Sequence, residues 1–340
     1  PLHDHSYWLL LRSTGSAFES KLLSTQAARE VRRRGNGGED EIWPGDFDGD
    51  GKTDLLRYIE HTGSGERVWQ VLSGQLPLSV FARTQGLAVS VVDAGVAERL
   101  PPHDGLLMRK IAHGTRNARV GPAMTLDQAQ AAIRAGMEIG QSLPGNVLAC
   151  AGLGVGSHES AALVLSRLTG APVRELLLSH PQMDTSLLTH LLAVTQSAQA
   201  RHRDTADPVE VLAALGGFDV AMMAGAMLVS AGRRHLIMVD GLPACAAVMV
   251  ASRIAAPVID YCVFCRSHGH QGLDYALNLF HSSALLELGM SSTDGTGATL
   301  AWPLVRAAAS LLTEVAEGEE LSTSLPQELD AGDTVREIEL

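Results

Sequence analysis

Residues 146–159 read NVLACAGLGVGSHE, and this stretch decides the fold class. It opens on an apolar run of strand length, Val147-Leu148-Ala149-Cys150. Gly152, Gly154 and Gly156 follow at alternate positions, and Ser157-His158-Glu159 leads into an Ala/Leu-rich segment, 159–169. A strand, a glycine turn and a helix in that order begin a parallel crossover unit. Ser157 and Glu159 suit the first turn of a helix. The glycines allow close backbone approach, and the unpaired N–H groups of a helix start favour an anion. A plain strand-to-helix turn has the same pattern, so the run alone fixes no function.

On either side of it, similar short apolar runs recur at 89–93, 235–240 and 257–260, and each reads as a buried strand. Helical patterns lie between and after them, at 125–143, 159–169, 208–215, 221–231, 244–254 and 301–317. Thr125 is a suitable N-cap, with Asp127 and Gln128 in the first turn. Strands alternating with helices of this length predict an α/β fold with a mostly parallel sheet covered on both faces. Ligands in such folds bind beyond the carboxyl ends of the strands. The longest apolar stretch, 211–232, carries Asp219 and three glycines before Gly232 and reads as a buried core helix, because a membrane span needs about 20 residues nearly free of charge.

A chain of 340 residues is long enough for two domains and a real core. Its net charge of −12 argues against a nucleic-acid partner, which requires clustered Lys and Arg. The one basic run, Arg32-Arg33-Arg34, is short and reads as a solvated loop. Four cysteines in apolar surroundings, Cys150, Cys245, Cys262 and Cys265, suit reduced buried thiols in a cytoplasmic protein. No signal-peptide pattern is visible, and a start at Pro1 instead of Met predicts a missing upstream piece.

Residues 1–75 differ in character. They hold Trp8, Trp43 and Trp69, with alternating runs such as 7–11 and 67–72 that read as strands, and turn signals at 13–16, 35–38 and 62–65. Within them DFDGDGKTD, residues 46–54, places Asp46, Asp48, Asp50 and Asp54 at loop positions one, three, five and nine, with a glycine after the third. That spacing wraps oxygen ligands around one calcium ion. The twelfth position holds Arg57 where an EF-hand needs Glu. The segment is similar to FG-GAP/VCBS repeats, whose metal loops lie between strands. One or two such repeats cannot close a propeller.

Five signatures punctuate the remainder. They are Arg109-Lys110 with Gly114-Thr115, Asn117 and GPAMT at 121–125; the glycine turn at 152–159; Gly216-Gly217-Phe218-Asp219 leading into Met222-Met223-Ala224-Gly225-Ala226; Val239-Asp240-Gly241; and Leu288-Gly289-Met290 with Asp294-Gly295-Thr296-Gly297-Ala298. In this order, over residues 76–319, they resemble the nicotinate-nucleotide:dimethylbenzimidazole phosphoribosyltransferases. Asp93-Ala94-Gly95-Val96 matches a further motif of that family. The resemblance implies a Rossmann-like sheet, a cytoplasmic homodimer, and transfer of phosphoribose from nicotinate mononucleotide to a benzimidazole without metal or other cofactor. It implies that Asp294 is the catalytic base. It assigns substrate contacts to Lys110, Gly152, Gly154, Gly156, Ser157, His158, Glu159, Gly216, Gly217, Asp240, Gly241, His268, Gly295, Thr296 and Gly297.

Two carboxylates depart from the family pattern. Asp294 stands where the family has Glu, one methylene shorter, and Gly152 stands where it has a second Glu. His158 and Glu159, a turn later, are candidate substitutes, or simply a helix cap. The family's first third has no counterpart before Leu76, and residues 320–340 read as an acidic tail. Cys262, Cys265, His268 and His270 fall within nine residues, which zinc could use. Core thiols beside a polar substrate mouth account for the same pattern, and the resemblance implies no metal. Two alternatives to the enzyme remain: a relative that binds nucleotide or base without transfer, and a calcium-stabilised adhesion module.

Overall fold

The computed structural model of the chain describes residues 7–13, 18–22, 42–45 and 54–59 by their backbone, and 64–178, 185–267, 271–287 and 294–314 more fully. Strands β1 (Tyr7–Ser13), β2 (Phe18–Leu22), β3 (Ile42–Gly45) and β4 (Asp54–Ile59) form an antiparallel sheet in the order β2-β1-β4-β3. Asp54 opens β4 opposite Gly45, while Asp46, Asp48 and Asp50 lie outside the described residues.

Helices α1 (Ser64–Leu72) and α2 (Pro77–Thr84) come next. Residues 67–72 were expected as a strand. They are helical because Val68 and Val71 recur at helical spacing and are buried together, with Val68 and Leu72 packing on Leu100 and Leu106. Strands β5 (Val91–Asp93) and β6 (Leu106–Met108) pair in parallel. The central sheet is β7 (Val147–Cys150), β8 (Leu236–Val239) and β9 (Cys262–Phe264), parallel throughout and in that order. A short parallel pair, β10 (Arg266–Ser267) with β11 (Leu286–Glu287), follows β9. The expected strand at 257–260 is instead part of a 3-10 turn, Ala256–Tyr261, and strand pairing starts just after it. Pro257 has no N–H to give a sheet ladder but is tolerated at the start of a helical turn.

The remaining helices are α3 (Leu126–Ser142), α4 (Ser157–Thr169), α5 (Val173–Leu177), α6 (Thr185–Arg201), α7 (Pro208–Leu215), α8 (Phe218–Gly232), α9 (Leu242–Ile254), α10 (Gln271–Leu279) and α11 (Thr296–Glu314). Thr125 caps α3 through a full capping box with Gln128. The apolar stretch 211–232 is two helices, broken by the extended Gly216-Gly217 pair. Helix α8 is buried nearly all round and packs on α3 at glycine contacts. A Cβ at Gly136 would lie 1.9 Å from the Met222 carbonyl oxygen, and one at Gly225 would lie 2.0 Å from that of Ile133. Cover is uneven: β8 is buried along most of its length, whereas β7 leaves Ala149 exposed. The chain divides into two compact units, 1–301 and 302–340.

Candidate active site

Parallel register brings the carboxyl ends of β7, β8 and β9 to one side of the central sheet. Asp240 directly follows β8 and is 1% exposed. Two residues past β9 stands Arg266, whose Nε donates to Asp240 Oδ1 at 3.0 Å and whose Nη2 donates to Asp294 Oδ1 at 3.2 Å. The other oxygen of Asp240 accepts from the Gly297 N–H at 2.7 Å, which ties the start of α11 to the end of β8. Asp294 is 5% exposed, and its Oδ2 lies 2.9 Å from His158 Nε2 on the first turn of α4. Four segments distant in sequence thus meet in one chain of charges: Asp240, Arg266, Asp294, His158.

Glycines make this closeness possible. Gly241 has φ +97, and a Cβ there would sit 2.2 Å from the Asp294 carboxyl carbon. Only glycine combines that backbone with that clearance. A Cβ at Gly297 would meet Asp240 Oδ1 at 2.7 Å.

Burial sets the charges. Desolvation raises the Asp240 carboxyl above the usual carboxylate value; the Arg266 charge opposes this, and the Asp294 charge adds to it. His158 is 40% exposed. Desolvation lowers its basicity, but the hydrogen bond and charge of Asp294, with the charge of Glu159, outweigh it against Arg67 and leave its pKa raised above the ordinary value near 6.5.

A second polar group adjoins the first at the same helix start. Ser157 Oγ donates to Asp219 on α8, and a Cβ at Gly217 would strike that carboxylate at 2.2 Å. The glycine turn 152–156 packs tightly too, since a Cβ at Gly152 would meet Pro243 at 2.6 Å. Helix α1 braces the turn: Arg67 Nη1 donates to the Leu153 carbonyl at 3.3 Å, and Ser64 Oγ accepts from the Val155 N–H at 3.0 Å.

A family model described as "Phosphoribosyltransferase" matches residues 60–322. The chain is also 40% identical over 268 residues to the nicotinate-nucleotide–dimethylbenzimidazole phosphoribosyltransferase of Cupriavidus necator, covering 77% of this chain and 78% of that protein. The chain belongs to this phosphoribosyltransferase family. The protein of the same name from Variovorax paradoxus is 37% identical, covering 75% of this chain and 74% of that one. The crystal structure of the nicotinate-nucleotide–dimethylbenzimidazole phosphoribosyltransferase from Thermus thermophilus superposes with a TM-score of 0.70 at 31% identity, over 77% of this chain and 78% of that chain. The phosphoribosyltransferase match starts at residue 60, so β1–β4 lie outside it.

Of the residues expected at a phosphoribosyltransferase site, the structure gathers His158, Asp240, Gly241, Asp294 and Gly297 around Arg266. Thr296 and Gly295 are in the same chain segment, and Gly295 faces Ala151 at the glycine turn. Ser157, Gly154 and Gly217 meet at Asp219, while Gly156 takes φ +79 as the N-cap of α4. Glu159 acts on His158 through charge. Gly216 packs against Leu212 as the C-cap of α7. Lys110 is bound to buried Asp93 at 3.2 Å and to the carbonyls of Val96 and Glu98, so it closes the loop after β5. His268 lies outside the described residues.

Arg266, Asp219 and Arg67 were not anticipated. Arg266 had a readable signal: a lone cation just past a buried strand, on the side of the sheet where ligands bind. Asp219 stood in the Gly216-Gly217-Phe218-Asp219 signature but without an assigned role, and Arg67 had no signal, because their partners are supplied by tertiary packing.

Proposed function

We infer that this chain transfers the phosphoribosyl group of nicotinate mononucleotide to 5,6-dimethylbenzimidazole, releasing nicotinate and forming α-ribazole phosphate, a step in making the lower ligand of cobalamin. One observation carries this. A chain 40% identical to a protein named for that reaction holds a buried carboxylate, Asp294, between a guanidinium and an imidazole beyond the strand ends.

The acceptor must lose a ring proton as its other nitrogen bonds to the anomeric carbon. Asp294 is the buried carboxylate whose negative charge favours that loss. Arg266 pairs with Asp294 at 3.2 Å and places a cation beside it inside the buried site. N–H groups of the glycine turn Gly152, Gly154 and Gly156 and of the start of α4 receive the donor's phosphate. The bracing of that turn by Ser64 and Arg67 holds the N–H groups in place before substrate arrives. Transfer itself needs no metal in this scheme. The protein works as a homodimer in the cytoplasm; four free thiols fit a reducing compartment, and sedimentation would read the assembly state.

Incubation with nicotinate mononucleotide should release nicotinate only when the benzimidazole is added. Asp294→Asn should lower kcat by roughly two to four orders of magnitude, with calorimetric nucleotide binding retained. Unchanged turnover in that variant would remove Asp294 from its role.

A further inference from the structure

We propose that the acceptor's proton passes first to the imidazole of His158, with Asp294 acting through that ring instead of touching the acceptor. The proposal rests on the transfer activity inferred above. Three observations carry it.

First, Asp294 is 5% exposed while His158 is 40% exposed, so the imidazole stands on the open side of the carboxylate. Second, both Asp294 oxygens are engaged, Oδ1 by Arg266 and Oδ2 by His158. A carboxylate bonded to a guanidinium is a weak proton acceptor, but it still stabilises a cation next to it. Third, an ionised carboxylate offers only acceptor atoms, so the 2.9 Å contact makes His158 Nε2 the donor. The basic nitrogen of the neutral ring is then Nδ1. A buried acid holding one tautomer of a more exposed histidine is the arrangement by which a carboxylate strengthens an imidazole base.

Atoms and electrons balance in this step. The unprotonated ring nitrogen of the benzimidazole gives its electron pair to the anomeric carbon. The bond from that carbon to the pyridine nitrogen breaks, and nicotinate leaves with that pair. The acceptor's N–H proton goes to His158, and the imidazolium formed is paired with Asp294. His158 makes a further contact in the resting site, and the step requires only that the ring titrate while keeping its bond to Asp294. Among the described residues, Asp294 and Glu159 favour its protonation and Arg67 opposes it; Arg266 and Asp240 stand behind Asp294. Together they leave the ring more basic than an isolated histidine.

The test is the pH dependence of kcat/KM for the full chain with nicotinate mononucleotide and dimethylbenzimidazole, corrected for the acceptor's own protonation. The wild type should show a limb that rises with pH through a value above about 6.5 and then a plateau. His158→Gln should lose that limb and fall roughly 100-fold or more at the plateau, with calorimetric nucleotide binding kept. Its deficit should shrink for 5,6-dichlorobenzimidazole, whose N–H is more acidic; a merely structural role would leave the deficit equal for both acceptors. A wild-type profile flat between pH 5.5 and 9 would overturn the proposal without recourse to any variant, as would a His158→Gln protein with the wild-type rate and profile. A wild type that makes no product at any pH would overturn the transfer activity and this inference with it. Product formation without the limb overturns the inference alone.

Discussion

Replacing Arg266 by Met keeps an unbranched stem and removes the guanidinium with its charge. Its guanidinium is 3.0 Å from one buried carboxylate and 3.2 Å from another. At an effective dielectric of ~20, each contact is worth ~5 kcal/mol of Coulomb energy. Removing the cation also relieves its desolvation, which costs several kcal/mol. The expected net loss of folding stability at pH 7 is ~3–5 kcal/mol, the range for stranding buried charge. Asp240 retains its bonds from Gly297 and Ala298, which limits the damage to its side. The loss should depend on pH. The folded pKa of Asp240 is already raised, and without Arg266 it rises further. A group with a raised folded pKa contributes stability below its unfolded pKa and loses it as pH rises through the folded value. The Arg266→Met penalty should therefore grow as pH rises through the wild-type folded pKa of Asp240, which lies above 3.8, and level off above the still higher folded pKa of the variant. Urea denaturation followed by circular dichroism across pH 4–8 measures this. A variant within about 0.5 kcal/mol of wild type at pH 7 would refute the view that Arg266 neutralises this site.

Three further outcomes are expected. Gly225→Ala gains helix propensity but drives a Cβ to 2.0 Å from the Ile133 carbonyl oxygen, so the denaturant midpoint should fall by the equivalent of ~2–3 kcal/mol; an increase would mean that α3 and α8 are not in this close contact. The raised pKa of His158 means that its charged form stabilises the fold below about pH 6.5 and that this contribution is lost as pH rises through the folded value. The melting point of His158→Gln should accordingly lie further below wild type at pH 5.5 than at pH 9, and the reverse order would contradict the ion pair with Asp294. If the loop bearing Asp46, Asp48, Asp50 and Asp54 binds calcium, added calcium should raise the N-terminal melting transition and a chelator should reverse it; indifference to both would remove the metal.

Much of the α/β architecture was legible because its strands are short, apolar and separated by helices with clean caps. The run 147–150, the N-cap at Thr125 and the helical pattern at 208–215 are local signals, and structure follows them. Failures came where tertiary contact overrides local pattern. Residues 67–72 alternate like a strand, yet the helix forms because Val68 and Leu72 find Leu100 and Leu106. The segment 257–260 has strand composition, yet Pro257 starts a 3-10 turn and passes the pairing on to 262–264. At the site, Asp240, Gly241 and Asp294 were identifiable from motif order. Their convergence on Arg266 was not, because it depends on β8 and β9 being neighbours. The loss of a carboxylate at Gly152 could be read from the sequence; the 2.9 Å contact that recruits His158 to Asp294 could not.

Movement of a phosphoribosyl group between two bases is what this chain should perform above all else. Mass spectrometry of the purified chain incubated with nicotinate mononucleotide and dimethylbenzimidazole reads that transfer without intermediaries. α-Ribazole phosphate and nicotinate should appear in equal amounts, with the ribotide greatly reduced in Asp294→Asn. A folded chain that binds the nucleotide and the benzimidazole but yields neither product would contradict the assignment.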